Sequence, residues 1–292
     1  FWISEDAIGL WSAARRTTRG GQRRYSNLAI ELCLTLGMVF KQPLRQTQGL
    51  MRSIARLLGA EIAVPDFSTL SRRSNGLILQ SAPRENSRAT IHLAVDSTGL
   101  KIFGEGEWLE EKHKTKGKRR SWRKLHLGHD LVSGRMVCSG LTTDEVGDPT
   151  APPDLLDQVD SPVDLLLAPL GICFAIACQA MDGAYDGEPT SDLPVARFGS
   201  TIEVTIPPPK NAVLSPNAAQ DPTMRDRHIA DISVRGRMGW QRASGYNQRS
   251  RAETLMSRWN TVIGPKLKAR SFKNQKTEAK IGARIHNRMT EL

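Results

Sequence analysis

The spacing of apolar residues changes near residue 90, and that change most constrains the fold, because no single kind of layer accommodates both patterns. Before it, apolar positions recur at helical intervals. Leu28 to Leu36 opens after Ser26 and Asn27, both good N-caps. Gln42 to Leu58 sets Leu44, Leu50, Met51, Ile54, Leu57 and Leu58 near one helical stripe and stops at Gly59. Pro65 to Arg73 starts a third, short helix ending in a basic pair. Three helices with a basic last member match a helix-turn-helix outline, and equally any small bundle. After Thr90 the pattern is that of strands. Ile91 to Phe103 reads as a strand, with Gly99 as the point where it could break. Lys124 to Asp130 and Arg135 to Leu141 read as two β-runs joined through Val132-Ser133-Gly134. Asp148 to Val159 reads as a short helix, and Val163 to Ala168 and Ile202 to Ile206 as strands. The last of these ends at Pro207-Pro208-Pro209. Ala218 to Met238 is polar and partly helical; Tyr246 to Ile263 and Thr277 to Leu292 read as helices. The order predicts a helical domain over 1–88, then an α/β domain over 89–292 with a mixed sheet covered by helices.

Charge narrows the partner. The 292 residues hold 41 Lys+Arg against 30 Asp+Glu, a formal +11, which favours a polyanion: nucleic acid first, a membrane surface second. The distribution is uneven. Basic residues outnumber acidic by thirteen to six over 1–90 and by seventeen to six over 207–292, but are outnumbered two to twelve over 131–206. Lys112 to Lys124 carries eight Lys/Arg in thirteen positions. Four cysteines in a chain this long do not make a disulfide scaffold, and the Cys173-x4-Cys178 pair lacks a second pair at zinc-finger spacing. Val163 to Met181 approaches transmembrane length, but Asp164, Pro169, Gly171 and Gln179 mark it as a buried soluble element. There is no phosphate-binding G-x-x-x-x-G-K-[ST] loop, so no nucleotide cofactor is implied. The chain starts at Phe1 rather than Met, which reads as a missing or processed N-terminus, and the expected compartment is the cytoplasm.

Three acidic residues stand where chemistry is possible. Asp96 interrupts an apolar strand, and a carboxylate there is costly to bury unless paired or metal-bound. Asp182 opens Asp182-Gly183-Ala184-Tyr185-Asp186-Gly187 after a long apolar run. Tyr246, Arg249 and Glu253 fall at i, i+3 and i+7, on one face of the expected helix. Each has an ordinary alternative: a strand-end Asp, a turn-forming Asp-Gly, an Arg–Glu pair at i, i+4. Together, two strand carboxylates and one helix carboxylate can hold two Mg2+ or Mn2+ ions for in-line phosphoryl transfer.

The chain resembles bacterial insertion-sequence transposases of the DDE type, of the group named after insertion sequence five. The resemblance covers almost the whole chain. It is carried by Leu93 to Lys101, Ser121 to Leu127, Asp182 to Gly187, Pro207 to Lys210, Gly236-Arg237-Met238-Gly239-Trp240, and Tyr246 to Glu253, which matches a Y-(2)-R-(3)-E-(6)-K signature up to its Glu. It implies a ribonuclease-H-like catalytic domain with Asp96, Asp182 and Glu253 as the metal-binding catalytic triad, and an N-terminal DNA-binding domain. The expected partners are double-stranded DNA, as terminal inverted repeats and target, and further copies of the chain in a dimer or larger assembly. Tyr246 and Arg249 are expected beside the scissile phosphate, with Lys118, Arg119, Arg120, Arg123 and Lys124 on the DNA backbone and Trp122 stacking or packing beneath. Two departures stand out. The signature's Lys falls at Asn260, and thirteen residues, Pro169 to Met181, separate Leu165-Leu166-Leu167-Ala168 from Asp182, where the family runs straight on. The alternatives are a relic that binds DNA without cutting it, and a ribonuclease-H-like nuclease without strand transfer.

Overall fold

The computed structural model describes residues 4–79, 90–102, 122–143, 153–159, 162–167, 197–199 and 201–291. The chain divides into two compact units. One holds the described residues up to 79 together with those from 262 onward, and the other holds 90–101 and those between 122 and 261.

The first unit is helical: α1 (Glu5–Gly9), α2 (Asn27–Val39), α3 (Leu44–Leu57), α4 (Phe67–Arg73) and, from the far end of the chain, α8 (Phe272–Thr290). Ser26 caps α2 by accepting from the Ala29 amide, and Asp66 caps α4 by accepting from Thr69. Their apolar faces meet in a core of Ala29, Ile30, Cys33, Leu36, Met51, Ile54 and Leu70, closed by Trp11. Burial in that core pushes the Cys33 thiol up to about 12. The basic pair at the end of α4 is split in role. Arg73 turns inward, donating to the Tyr25 carbonyl at 2.9 Å and to Asn27 at 2.7 Å, while Arg72 stays exposed. The final helix begins at Phe272, five residues before the start predicted from the apolar pattern, because Ser271 accepts from the Asn274 amide and caps it there. Residues 262–291, expected with the α/β domain, group with the N-terminal helices. Thr277 donates to the Ser74 carbonyl at 2.7 Å, and Arg284 pairs with Glu31 at 2.9 Å.

The second unit is built on a mixed sheet in the order β3-β2-β1-β4-β5. Its strands are β1 (Ile91–Ile102), β2 (Trp122–Asp130), β3 (Met136–Thr143), β4 (Val163–Leu167) and β5 (Glu203–Thr205). The first three form an antiparallel meander, and β4 and β5 join it in parallel. β1 runs unbroken through Gly99, the point where a break was admissible. A Cβ there would lie 3.2 Å from the Trp122 ring, so a bare backbone lets the indole lie over the strand. Odd-numbered β1 residues Leu93 and Val95 face one core, with Leu155, Leu156 and Val159 at and after α5 (Pro153–Leu156). Even-numbered Ala94 faces the other, with Leu131, Leu167 and Ala252.

Ala252 belongs to α7 (Ser250–Val262) and is fully buried, as is Trp259 on the same helix. Arg251 ties α7 to the hairpin turn by donating to the Leu131 carbonyl at 3.0 Å. Before it, α6 (Met224–Ala243) opens with a capping box between Thr223 and Asp226 and changes direction at Gly236, whose φ is +69°. No helix among the described residues is long and apolar enough to cross a membrane, and the described start of the 163–181 stretch is strand β4.

Enlarging the small contact between α7 and the sheet tests this packing. Ala252→Leu inserts three carbons against Ala94 and Leu167 and is expected to cost about 1–3 kcal/mol. Urea unfolding should show a lower midpoint at an unchanged slope.

Candidate active site

Asp96 follows Ala94 by two residues on β1, so its side chain leaves the sheet on the α7 side. The chain reaches that side through a break in helical geometry. Gly245 has φ +69° and ψ +4°, a left-handed conformation that favours glycine, and it separates α6 from a 3-10 turn at Tyr246–Arg249. The sequence predicted one helix from Tyr246 onward; the tighter turn precedes α7 instead. The i, i+3, i+7 relation survives because Tyr246, Arg249 and Glu253 all still lie toward Asp96.

One guanidinium joins the two acids. Arg249 Nη1 donates to Glu253 Oε1 at 2.7 Å, and Nη2 lies 3.8 Å from Asp96 Oδ2. Asp96 is the enclosed partner, with 13% of its side chain exposed against 59% for Glu253. Burial therefore pushes the Asp96 carboxyl above its usual range; the Ser97 amide, 2.9 Å away, and then Arg249 pull it back, and Glu253 raises it. Burial also raises the Tyr246 phenol, which stays protonated at neutral pH; Arg249 opposes this, and Asp96 and Glu253 reinforce it. The Nε of Arg249 is buried and has no hydrogen-bond partner, so a strong donor beside two carboxylates is left unused.

Behind Tyr246 stands a polar relay that the sequence reading did not identify. The Trp240 ring lies 5.4 Å from that of Tyr246, and Trp240 Nε1 donates to His228 Nδ1 at 3.2 Å. That bond requires a lone pair on Nδ1, so the His228 proton sits on Nε2, 3.2 Å from the Val204 carbonyl of β5. Arg237 donates to the Pro208 carbonyl just beyond β5. The blocks around Pro207 and Trp240 were singled out by resemblance alone; the structure shows them bracing the turn that carries Tyr246. His228 had no signal in the sequence, since a lone His in a polar segment fits many roles.

The other expected residues divide. Arg123 pairs in register with Leu100 and so shares the face of Asp96. Lys124 pairs with Gly99 and faces the opposite side, as does Trp122, whose ring lies 5.4 Å from the Lys101 ammonium. Asn260, at the position of the signature's Lys, is exposed on α7. Asp182, Lys118, Arg119, Arg120 and the stretch 169–181 lie outside the described residues. Among the described residues, no group of three or more His, Cys, Asp or Glu side chains forms a metal cage.

The second unit is a mixed sheet flanked by helices, with a strand aspartate and a helix glutamate converging on one arginine. A family model described as Transposase DDE domain matches residues 87–288, and a second of the same description matches residues 1–105. The chain belongs to the DDE transposases. No solved structure matches it.

Asp96 carries a testable cost. A carboxyl whose folded pKa is raised holds its proton more tightly when folded, so the native state loses stability as pH rises through the carboxylate range. Asp96→Asn removes that ionisation. Thermal melts should show a higher midpoint than wild type at neutral pH, and the gain should vanish in acid, below the ordinary carboxylate pKa.

Proposed function

We propose that the protein is an insertion-sequence transposase of the insertion-sequence-five group. It would cut DNA at terminal inverted repeats and join the freed 3′-OH ends to target DNA. The observation that carries this is the meeting of Asp96 and Glu253 across the Arg249 guanidinium. Supporting it, the strand order, antiparallel over β1 to β3 and parallel after, is the one expected of a ribonuclease-H-like domain.

The donor set fits a hard divalent cation: carboxylate oxygens from β1 and α7 that meet at one place. Asp96, Asp182 and Glu253 would hold two Mg2+ or Mn2+ ions, which would supply Lewis-acid stabilisation of charge on the reacting oxygens. The remaining roles belong to the chain itself. Arg249 offsets part of the charge of the two carboxylates in the free protein, and its unpaired Nε would offer a donor to a phosphate oxygen of the bound strand. Tyr246, kept protonated and backed by Trp240, offers a neutral hydroxyl at the same edge. Arg123, on the Asp96 face, would meet the DNA backbone further along β1. A protein joining two element ends to a target would act as a dimer or larger, in the bacterial cytoplasm at the nucleoid.

The β1–β4 register bears on Asp182. Ala94 pairs with Leu167, and Asp96 stands two residues past Ala94. Two residues past Leu167 is position 169, the first of the thirteen that the family pattern lacks. Without 169–181, Asp182 becomes the residue at that count. Paired positions on neighbouring strands lie about 4.8 Å apart, close enough for two carboxylates to share a cation.

Two measurements test the reading. Mg2+-dependent nicking and strand transfer on the cognate inverted repeat should fall more than about a hundredfold in Asp96→Asn and in Glu253→Gln, since even outer-sphere changes cost about 10–100-fold. Activity surviving both changes would refute the assignment. Deleting residues 169–181 should tighten Mn2+ binding, read by calorimetry, and raise the nicking rate above that of the full chain.

A further inference from the structure

The face of α8 turned away from its core is strongly basic, and few acidic residues among the described ones stand against it. Inward positions Gln275, Thr277, Ala279, Ile281, Ala283, Ile285 and His286 are buried. Lys273, Lys276 and Lys280 are exposed and fall at i, i+3 and i+7, on one side of the helix. Lys266, Lys268 and Arg270, also exposed, lead into it. From 266 to 291 there are eight Lys/Arg and two Asp/Glu. One of the acids is already engaged: the Glu278 carboxylate accepts from the Lys268 amide at 2.9 Å and from the Ala269 amide at 2.9 Å. Lys266, Arg270, Lys273 and Lys280 form no ion pair with a described residue, and the Lys276 ammonium lies 4.9 Å from the centroid of the Phe272 ring. Like charges three and four residues apart on a helix repel, so this row is a cost to the free protein.

The row continues onto α4. Asn274 donates to the Ser71 carbonyl at 3.3 Å, and the chain neighbours of that bonded pair are Lys273 and the exposed Arg72. We propose that the outward face of α8, with Arg72 at the end of α4, is a surface for the phosphate backbone of duplex DNA. DNA contact in the helical unit is then shared between the two ends of the chain. The inference rests on the reading of the protein as DNA-binding and deepens it.

A membrane surface fits less well. An interfacial helix must offer an apolar face to the lipid, but the apolar face of α8 is already buried in its own unit. Its outward face shows no exposed large hydrophobic residue. A periodic phosphate backbone matches a row of cations that carries no apolar anchors.

The test uses the full chain and a random-sequence duplex, with affinity measured by fluorescence anisotropy across a salt series. Lys273→Ala, Lys276→Ala and Lys280→Ala together keep a strong helix former at each position, so the fold should persist, and circular dichroism checks it. The slope of log affinity on log salt should become shallower by about two to three units, near 0.9 per lost phosphate contact. The triple Lys→Arg variant should keep the wild-type slope. A triple Ala variant with the wild-type slope overturns this surface while leaving the protein a DNA binder. A wild-type chain that binds no duplex overturns the DNA-binding reading itself. Binding to phosphatidylserine vesicles that the Ala variant loses, without duplex binding, would assign the surface to lipid and also overturn the proposal.

Discussion

A helix can bring its backbone close to a sheet only where both surfaces carry small side chains. Ala94 on β1 and Ala252 on α7 provide that contact, with Leu131 and Leu167 filling the edges. The rest of the site follows from it. Asp96 lies two residues past Ala94, and Glu253 is the residue after Ala252, so gathering both alanines into one cluster brings both acids to one place. The bond from Arg251 to the Leu131 carbonyl fixes the helix along its axis, and the left-handed Gly245 lets the chain enter at the required angle.

Bringing two carboxylates together in a half-enclosed space is unfavourable without a cation. In the free protein Arg249 is that cation, held at 2.7 Å from one acid and 3.8 Å from the other. The compensation is partial, since Asp96 still titrates above its usual range. Such residual strain is the usual accompaniment of a site built for a ligand, where charge is arranged for what will bind and not for stability. The chain of contacts from Val204 through His228 and Trp240 to Tyr246, two hydrogen bonds and one ring contact, braces the same edge.

Much of the architecture was legible from periodicity. Ser26 starts a helix where an N-cap rule puts it, and the connection between β2 and β3, residues 131–135, contains the predicted 132–134. The site was legible in part. Asp96 and Glu253, distant in sequence, were grouped by residue type and by resemblance to a family, and the structure brings them together across Arg249. The five missed residues at the start of α8 were hidden because Phe272 to Lys276 carries no apolar stripe, and a cap decided the boundary. Arg72 and Arg73 looked equivalent as a basic pair, yet only one faces solvent, because Tyr25 and Asn27 present acceptors to the other.

The sequence by itself determined the kinds of most elements, their order, an excess of positive charge, and the acids Asp96 and Glu253 as candidates. Those follow from local spacing and composition. Only the tertiary structure decided that the C-terminal helix belongs with the N-terminal helices, that Arg123 and Lys124 part to opposite faces of the sheet, and that His228 and Trp240 brace Tyr246. These are matters of register and of long-range hydrogen bonds. A one-residue step in a strand reverses a side chain's face, and no local pattern records which distant carbonyl a donor will meet.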